Sequence, residues 1–286
     1  MSSTYPPARH AIRDLDLWTI HPSAERSVCV GPLTDAVRNA AGAAALGYLT
    51  AVADVSAAVV ALIAGEPEWT ATADLALHAA APITAGPVVV ESRLVRAGSN
   101  IVVVAVDAFD GMGRGHEDLL DTTVDTPQLR CGARSIITFA RIPRRASAAA
   151  GKFDPTANLG QWRHMGPDDP DDAAIPLLDR IGLRVVDAPA GVVEIDQTPY
   201  VANSFGTING GVLGMVFQGA AEAAHPGLVA VDAQIHYLAQ SKVGPARTSL
   251  TRIRTTADHA VCSLDLVDTG NDDRLLSHAV LTLVRA

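Results

Sequence analysis

The sequence predicts an α+β chain made of two copies of one unit, a long helix followed by an antiparallel sheet. Three observations carry this: two apolar helices that each follow an Asn- and Gly-bearing loop, runs of Val, Ile, Leu and Thr broken by turn residues after each helix, and an internal match between the two halves. The match is clearest at an offset of 158, where Asp-Leu-Ala-Leu-His at 74–78 lies on Asp-Ala-Gln-Ile-His at 232–236. The same register pairs Gly86-Pro87 with Gly244-Pro245, Arg96 with Arg254, Asp107 with Asp265 and Asp110 with Asp268. Upstream, an offset of 164 pairs Val28 with Val192, Asn39 with Asn203 and Gly42 with Gly206; downstream, residues 134–141 align with 278–285 at an offset of 144.

In chain order, residues 1–15 read as a loosely ordered or capping arm, and 17–20 and 27–30 as short strands. An Ala-rich helix is predicted over about 43–64, ended by Gly65 and Pro67. Strands then follow between turns at 81–82, 86–87, 98–100 and 110–111; the Gly- and Asp-rich stretch 111–127 reads as a loop, and 134–141 as the closing strand. The aperiodic stretch 143–175 is the natural linker, giving domains at 1–142 and 176–286. The second copy repeats the order: a short helix near 177–181, strands at 183–186 and 192–196, a helix opening at Gly210-Gly211, and four strands.

Composition narrows function. At 286 residues and 48% hydrophobic content the chain can bury a full core. Its net charge of -9 argues against nucleic-acid coating or a basic membrane arm. Cys29, Cys131 and Cys262 form no disulfide pattern, and 1–10 lacks a signal-peptide core, so a cytoplasmic location is expected. Residues 40–64 are apolar enough to raise a membrane span, but Asp54 at their centre favours a buried helix.

The glycine pair at 210–211 opens a helix whose first N–H groups lack intrahelical partners and point at whatever precedes them, which suits an anion or oxyanion. An ordinary turn is the competing reading. This helix, its Asn-x5-Asn-Gly-Gly start and the four strands that follow resemble the hotdog fold, and more closely the PaaI-like acyl-CoA thioesterases of the 4-hydroxybenzoyl-CoA thioesterase superfamily. That family's signature is Asn or Gln, five residues, His-Gly-Gly, and an acid nine residues past the His. In the second copy Asn203 and Asn209-Gly210-Gly211 match, with Asn for His, and Gln218 stands at the acid position. In the first copy Asn39 matches, Ala45-Leu46-Gly47 replaces His-Gly-Gly, and Asp54 supplies the acid.

The resemblance implies a double hotdog whose sites lie between the units. One site collects Asn203, Gly210, Gly211 and Asp54; the other collects Asn39, Leu46, Gly47 and Gln218 and is degenerate. Glu222 is a second-site candidate beside Gln218, against a reading as a solvated or dimer-contact residue. Asp54 would be general base or nucleophile, the Gly210 amide an oxyanion donor, and Asn203 would orient water or the carbonyl. Ala58 stands one turn on, where the family often carries Thr or Ser. Arg93, Arg96, Arg252 and Arg254 are candidates for the CoA phosphates, with surface charge as the alternative. Tyr48, Leu49, Met215 and Phe217 fit tunnel or core. His78 and His236 read as structural, and no metal or organic cofactor is expected, coenzyme A entering as part of the substrate. The expected partner is an acyl-CoA, with neither nucleic acid nor membrane, and the chain is expected to form a homodimer. The alternatives are an inactive acyl-CoA-binding protein and a hotdog enoyl-CoA hydratase or dehydratase, which would need a His where Asn209 stands.

Overall fold

The computed structural model describes residues 5–121, 128–143, 154–169 and 174–286. Its elements are β1 (Leu17–Ser23), β2 (Arg26–Gly31), α1 (Leu46–Gly65), β3 (Trp69–Ala79), β4 (Val88–Ala97), β5 (Ile101–Asp110), α2 (His116–Asp121), β6 (Arg130–Ile142), β7 (Arg163–Met165), α3 (Leu177–Arg180), β8 (Arg184–Asp187), β9 (Val192–Ile195), α4 (Gly210–Ala224), β10 (Leu228–Tyr237), β11 (Ala246–Thr255), β12 (His259–Asp268) and β13 (Arg274–Arg285). The main strands and both long helices fall where the sequence pattern puts them. The stretch 111–127 is not loop throughout: α2 lies within it, and Leu119 is buried against Val28, Val30 and Val89. Residues 122–127 lie outside the described part.

All strands join one antiparallel sheet in the order β7-β1-β2-β4-β5-β6-β3-β10-β13-β12-β11-β9-β8. Apart from β7, each half mirrors the other about the β3–β10 seam, and Ala76 pairs directly with Gln234, its own equivalent at offset 158. The repeat in the sequence is therefore a pseudo-twofold axis in the fold. Residues pair with each other's equivalents across it: His78 with Asp232 at 3.6 Å and His236 with Asp74 at 2.7 Å. Both histidines sit on the outer sheet surface in these pairs.

The conserved order of turns also has a physical cause. Asp110 accepts backbone N–H bonds from Thr84, Ala85, Gly86 and Met112, and Asp268 from Lys242, Val243 and Gly244, so each carboxylate closes the turn before β4 or β11. Burial works against the Asp110 charge, yet these N–H groups, with Arg130, hold its pKa down at about 2.

The two helices cross inside the sheet at small residues. A Cβ on Gly47 would lie 2.7 Å from the Met215 Cα, and one on Gly211 would lie 2.7 Å from the Ala51 Cα, a symmetric pair of contacts that only glycine permits. α1 is apolar on nearly every face and long enough to cross a membrane; here β2 to β6 and α4 cover most of it. Tyr48, Leu49, Met215 and Phe217 all belong to the resulting core.

Two segments beyond the repeat close over the sheet. In the arm before β1, Ala11, Ile12 and Leu15 are buried, and the His10 ring bonds the Ala202 carbonyl at 2.7 Å, so the arm caps the second copy rather than lying loose. Within 154–169, β7 pairs with β1, and the Gly160 N–H donates to the His21 carbonyl at 2.9 Å.

Candidate active site

α1 carries Asp54 to the α1–α4 crossing, where the carboxylate is 6% exposed and faces the start of α4. A Cβ on Gly210 would lie 3.2 Å from Asp54 Oδ2, and the Gly211 N–H, whose hydrogen bond goes to Asn209, is close enough to favour the charge of the same carboxylate. Thr72 Oγ1 donates to Asp54 Oδ1 at 2.8 Å. Burial pushes the Asp54 pKa up to about 6, against the opposing pull of the Thr72 hydroxyl and the Gly211 amide.

Thr72 faces Asp54 because β3 carries a bulge. The register against β6 shifts between Thr72 and Asp74, so the inward face passes from Leu75 and Leu77 to Thr72 and Thr70. The sequence held the signal: inward apolar residues at 75 and 77 and threonines at 70 and 72 fall out of phase for a regular two-residue period.

Asn209, which takes the place of the family's His, is the N-cap of α4, accepting from the Gly211 N–H at 2.9 Å. Its Nδ2 lies 3.5 Å from the Tyr5 hydroxyl. Tyr237 donates to the Gly210 carbonyl at 3.1 Å. The Gly210 N–H is the first of the helix and has no intrahelical acceptor, which leaves it for a ligand. Asn203 uses its side-chain oxygen locally, accepting from the Phe205 and Thr207 N–H groups at 2.9 and 3.3 Å; its amide NH2 is the part left for a ligand. Asn39 makes the equivalent turn with Ala41 and Ala43.

Asp54, Gly210, Asn203 and Asn209 line a largely apolar cavity of about 460 Å³ between the two copies. From Asp54 it follows one face of α1 through Val55, Ala58, Val59 and Leu62. That run of eight residues spans ~12 Å of helix. Ala58 leaves space there, and the hydroxyl expected one turn after the acid comes instead from Thr72 on the neighbouring strand.

At the other interface the same geometry is filled. Gln218, the equivalent of Asp54, accepts from the Gly47 N–H at 2.6 Å, and Ala230 replaces Thr72. Glu222 is half-buried and accepts from Gln218 Nε2 at 3.1 Å and the Ala230 N–H at 3.0 Å. Burial raises its pKa. Gly47, Gln218, Glu222 and Ala230 are thus tied to one another.

The four arginines do not line the cavity. Arg93 pairs with Glu91 at 2.7 Å, Arg252 donates to the Pro189 and Ala224 carbonyls, and Arg96 and Arg254 are exposed on the outer strands. Cys29, Cys131 and Cys262 are free thiols.

No family model matches the sequence, and no curated protein matches it. Solved structures do match in fold. The chain is similar to a provisional thioesterase II from Thermobifida fusca YX, at 17% identity, covering 98% of each chain with a TM-score of 0.56. It is also similar to a protein of unknown function with a hot dog fold from Alicyclobacillus acidocaldarius, at 12% identity, covering 97% of this chain and 98% of that one with a TM-score of 0.57. A third is the 12:0-ACP thioesterase of Umbellularia californica, at 10% identity, covering 91% and 94% with a TM-score of 0.56. These likenesses span nearly the whole chain, and its fold is the double hotdog.

Proposed function

We propose that the chain hydrolyses acyl thioesters at a single site between its two copies, formed by Asp54 and Thr72 from the first and Gly210 from the second. The observation that carries this reading is the buried, hydroxyl-fixed carboxylate of Asp54 facing the first turn of α4 in the wall of an acyl-sized apolar cavity. Two structural relatives bear thioesterase names, which supports the reaction class.

The chemistry follows from the positions. The thioester carbonyl oxygen meets the Gly210 N–H, and the charge that develops on it is stabilised by that donor and the helix dipole, an effect of about 2.7–4 kcal/mol for one oxyanion donor. Asp54, with a pKa near 6, is mostly ionised at neutral pH. As general base it takes a proton from the attacking water, the C–S bond breaks, and the thiolate leaves with that proton. As nucleophile it forms an anhydride that water then opens. Single turnover in 18O-labelled water tests the nucleophilic route, since label in the Asp54 carboxylate requires an anhydride that water opens at the aspartyl carbonyl.

Coenzyme A is the proposed thiol carrier. The test is thiol release from short, long and aromatic acyl-CoA thioesters by the native chain, with acyl carrier protein thioesters in parallel. Turnover of CoA thioesters is the expected result; turnover of the carrier-protein forms alone would reassign the carrier. Binding without turnover is the second reading, favoured by the commitment of the Asn203 oxygen to its own loop. Acyl-CoA bound tightly with no thiol released would establish it.

A further inference from the structure

The two interfaces are built from one repeated unit, yet they differ sharply along one helix face. In the first copy Val55, Ala58, Val59 and Leu62 stand at i, i+3, i+4 and i+7, so they share a face of α1. All four line the cavity, and none is fully buried. The offset of 164 puts Gly219, Glu222, Ala223 and Pro226 at the same places in the second copy. There the face is covered. Leu183 lies over Gly219, so close that a Cβ on that glycine would overlap its Cδ2. The Glu222 side chain reaches across from α4 to the Ala230 N–H at 3.0 Å, and Ala230 is the equivalent of Thr72 on β3. At the Glu222 position the first copy has only the methyl of Ala58, and residues of α1 and β3 line the cavity there instead.

The stripe is wholly aliphatic, starts beside Asp54 and runs ~12 Å along the helix. Of the two arms of a thioester, the thiol carrier's arm bears amides, which lose free energy when buried without hydrogen bonds. The acyl arm gains from such a wall, at ~4-fold in affinity for each buried methylene. We propose that Ala58 is a specificity-determining residue. By ending at a methyl it lets an aliphatic acyl chain run from the thioester carbonyl at Asp54 and Gly210 along α1 to Leu62, a path that Glu222 closes at the other interface. The site is thereby assigned to medium- and long-chain acyl groups rather than acetyl. This rests on the thioesterase reading for its reaction, while the path of the chain is read from the groove.

The experiment measures kcat/KM for straight-chain acyl-CoA thioesters from acetyl to dodecanoyl on the native chain, Ala58→Leu and Leu62→Trp, with Tm alongside. In the native chain kcat/KM should rise with length beyond hexanoyl. In Ala58→Leu the octanoyl-to-acetyl ratio should fall by ~10-fold or more, the worth of two displaced methylenes. Leu62→Trp narrows the groove ~6 Å further along the helix, so its profile should break at a longer chain than that of Ala58→Leu. A break that moves with the substituted position is not produced by lost folding. Should Ala58→Leu fail to fold, Ala58→Val takes its place, with a smaller fall of the same sign. A native preference for acetyl-CoA, or a length profile unchanged by Ala58→Leu, overturns the proposal. So does an equal loss for every thioester, which would put the carrier's arm in the groove. If no thioester is turned over, the hydrolase reading fails by itself, and calorimetric binding of the same acyl-CoA series decides. Affinity that climbs with chain length and levels off earlier in Ala58→Leu than in Leu62→Trp upholds the proposal, and one profile shared by all three chains overturns it.

Discussion

Replacing Asp54 by Asn should make the protein inactive and more stable at once. The carboxyl pKa is raised from 3.8 to about 6 in the fold, chiefly by burial. That displacement corresponds to ~3 kcal/mol of charge penalty in the folded state once the group is ionised. The sign follows from proton binding. Between pH 4 and 6 the folded chain holds this proton more tightly than the unfolded chain, so stability falls as pH rises through that window, and the full penalty stands above it. Asparagine has nearly the same shape and no charge to bury. It keeps the Thr72 hydrogen bond in a weaker, uncharged form, which removes ~1 kcal/mol of the gain. At pH 8 the Asp54→Asn chain should therefore exceed the native chain by ~1–3 kcal/mol in urea unfolding, and at pH 4 the difference should vanish. Thiol release should fall 10²-fold or more in the same variant, as expected for loss of a positioned base. An Asp54→Asn chain that is less stable than native at pH 8 would refute the reasoning, because Asp54 would then be a charge satisfied by the fold rather than strained by it.

The remaining predictions concern the neighbours of that carboxylate and its counterpart. In the native chain kcat/KM should rise with pH through an apparent pKa near 6; Thr72→Val, by removing the hydroxyl that favours the ionised form, should move this limb to higher pH in a pH-rate profile. Gly210→Ala brings a methyl to 3.2 Å from Asp54 Oδ2, so the carboxylate must shift by a few tenths of an ångström. Turnover should drop several-fold while stability changes by less than ~1 kcal/mol, read by kinetics and urea unfolding together. Gln218→Ala leaves the buried Gly47 N–H without its acceptor and should cost ~1–3 kcal/mol in unfolding free energy without lowering thiol release. Asp110→Ala removes the acceptor of four backbone N–H groups and should lower stability by ~3 kcal/mol or more at pH 7, with the difference shrinking as pH falls through 4 toward 2.

Much of the architecture was legible in the residues because repetition constrains them strongly. The offset of 164 puts Asp54 on Gln218 and Gly47 on Gly211, and in the fold each acid-position side chain meets the other copy's helix start, Asp54 at Gly211 and Gln218 at Gly47. The offset of 158 likewise anticipates that Asp110 and Asp268 close the same turn. What could not be read was the reach of individual side chains. Thr72 is outside any one-turn helical pattern and meets Asp54 only because a bulge shifts the face of β3. Asn203 looked like a free amide, but its oxygen is spent on its own loop, a local competition that spacing does not reveal. Tyr5 arrives from an arm with no repeat partner, so nothing in the internal comparison could place it beside Asn209.

The most direct test of one working site and one filled site is thiol release by three chains measured side by side: native, Asp54→Asn and Glu222→Gln. The account predicts turnover in the native chain, its loss in Asp54→Asn, and near-native turnover in Glu222→Gln. Loss of turnover in Glu222→Gln with Asp54→Asn still active would contradict it and move the chemistry to the interface held by Gln218.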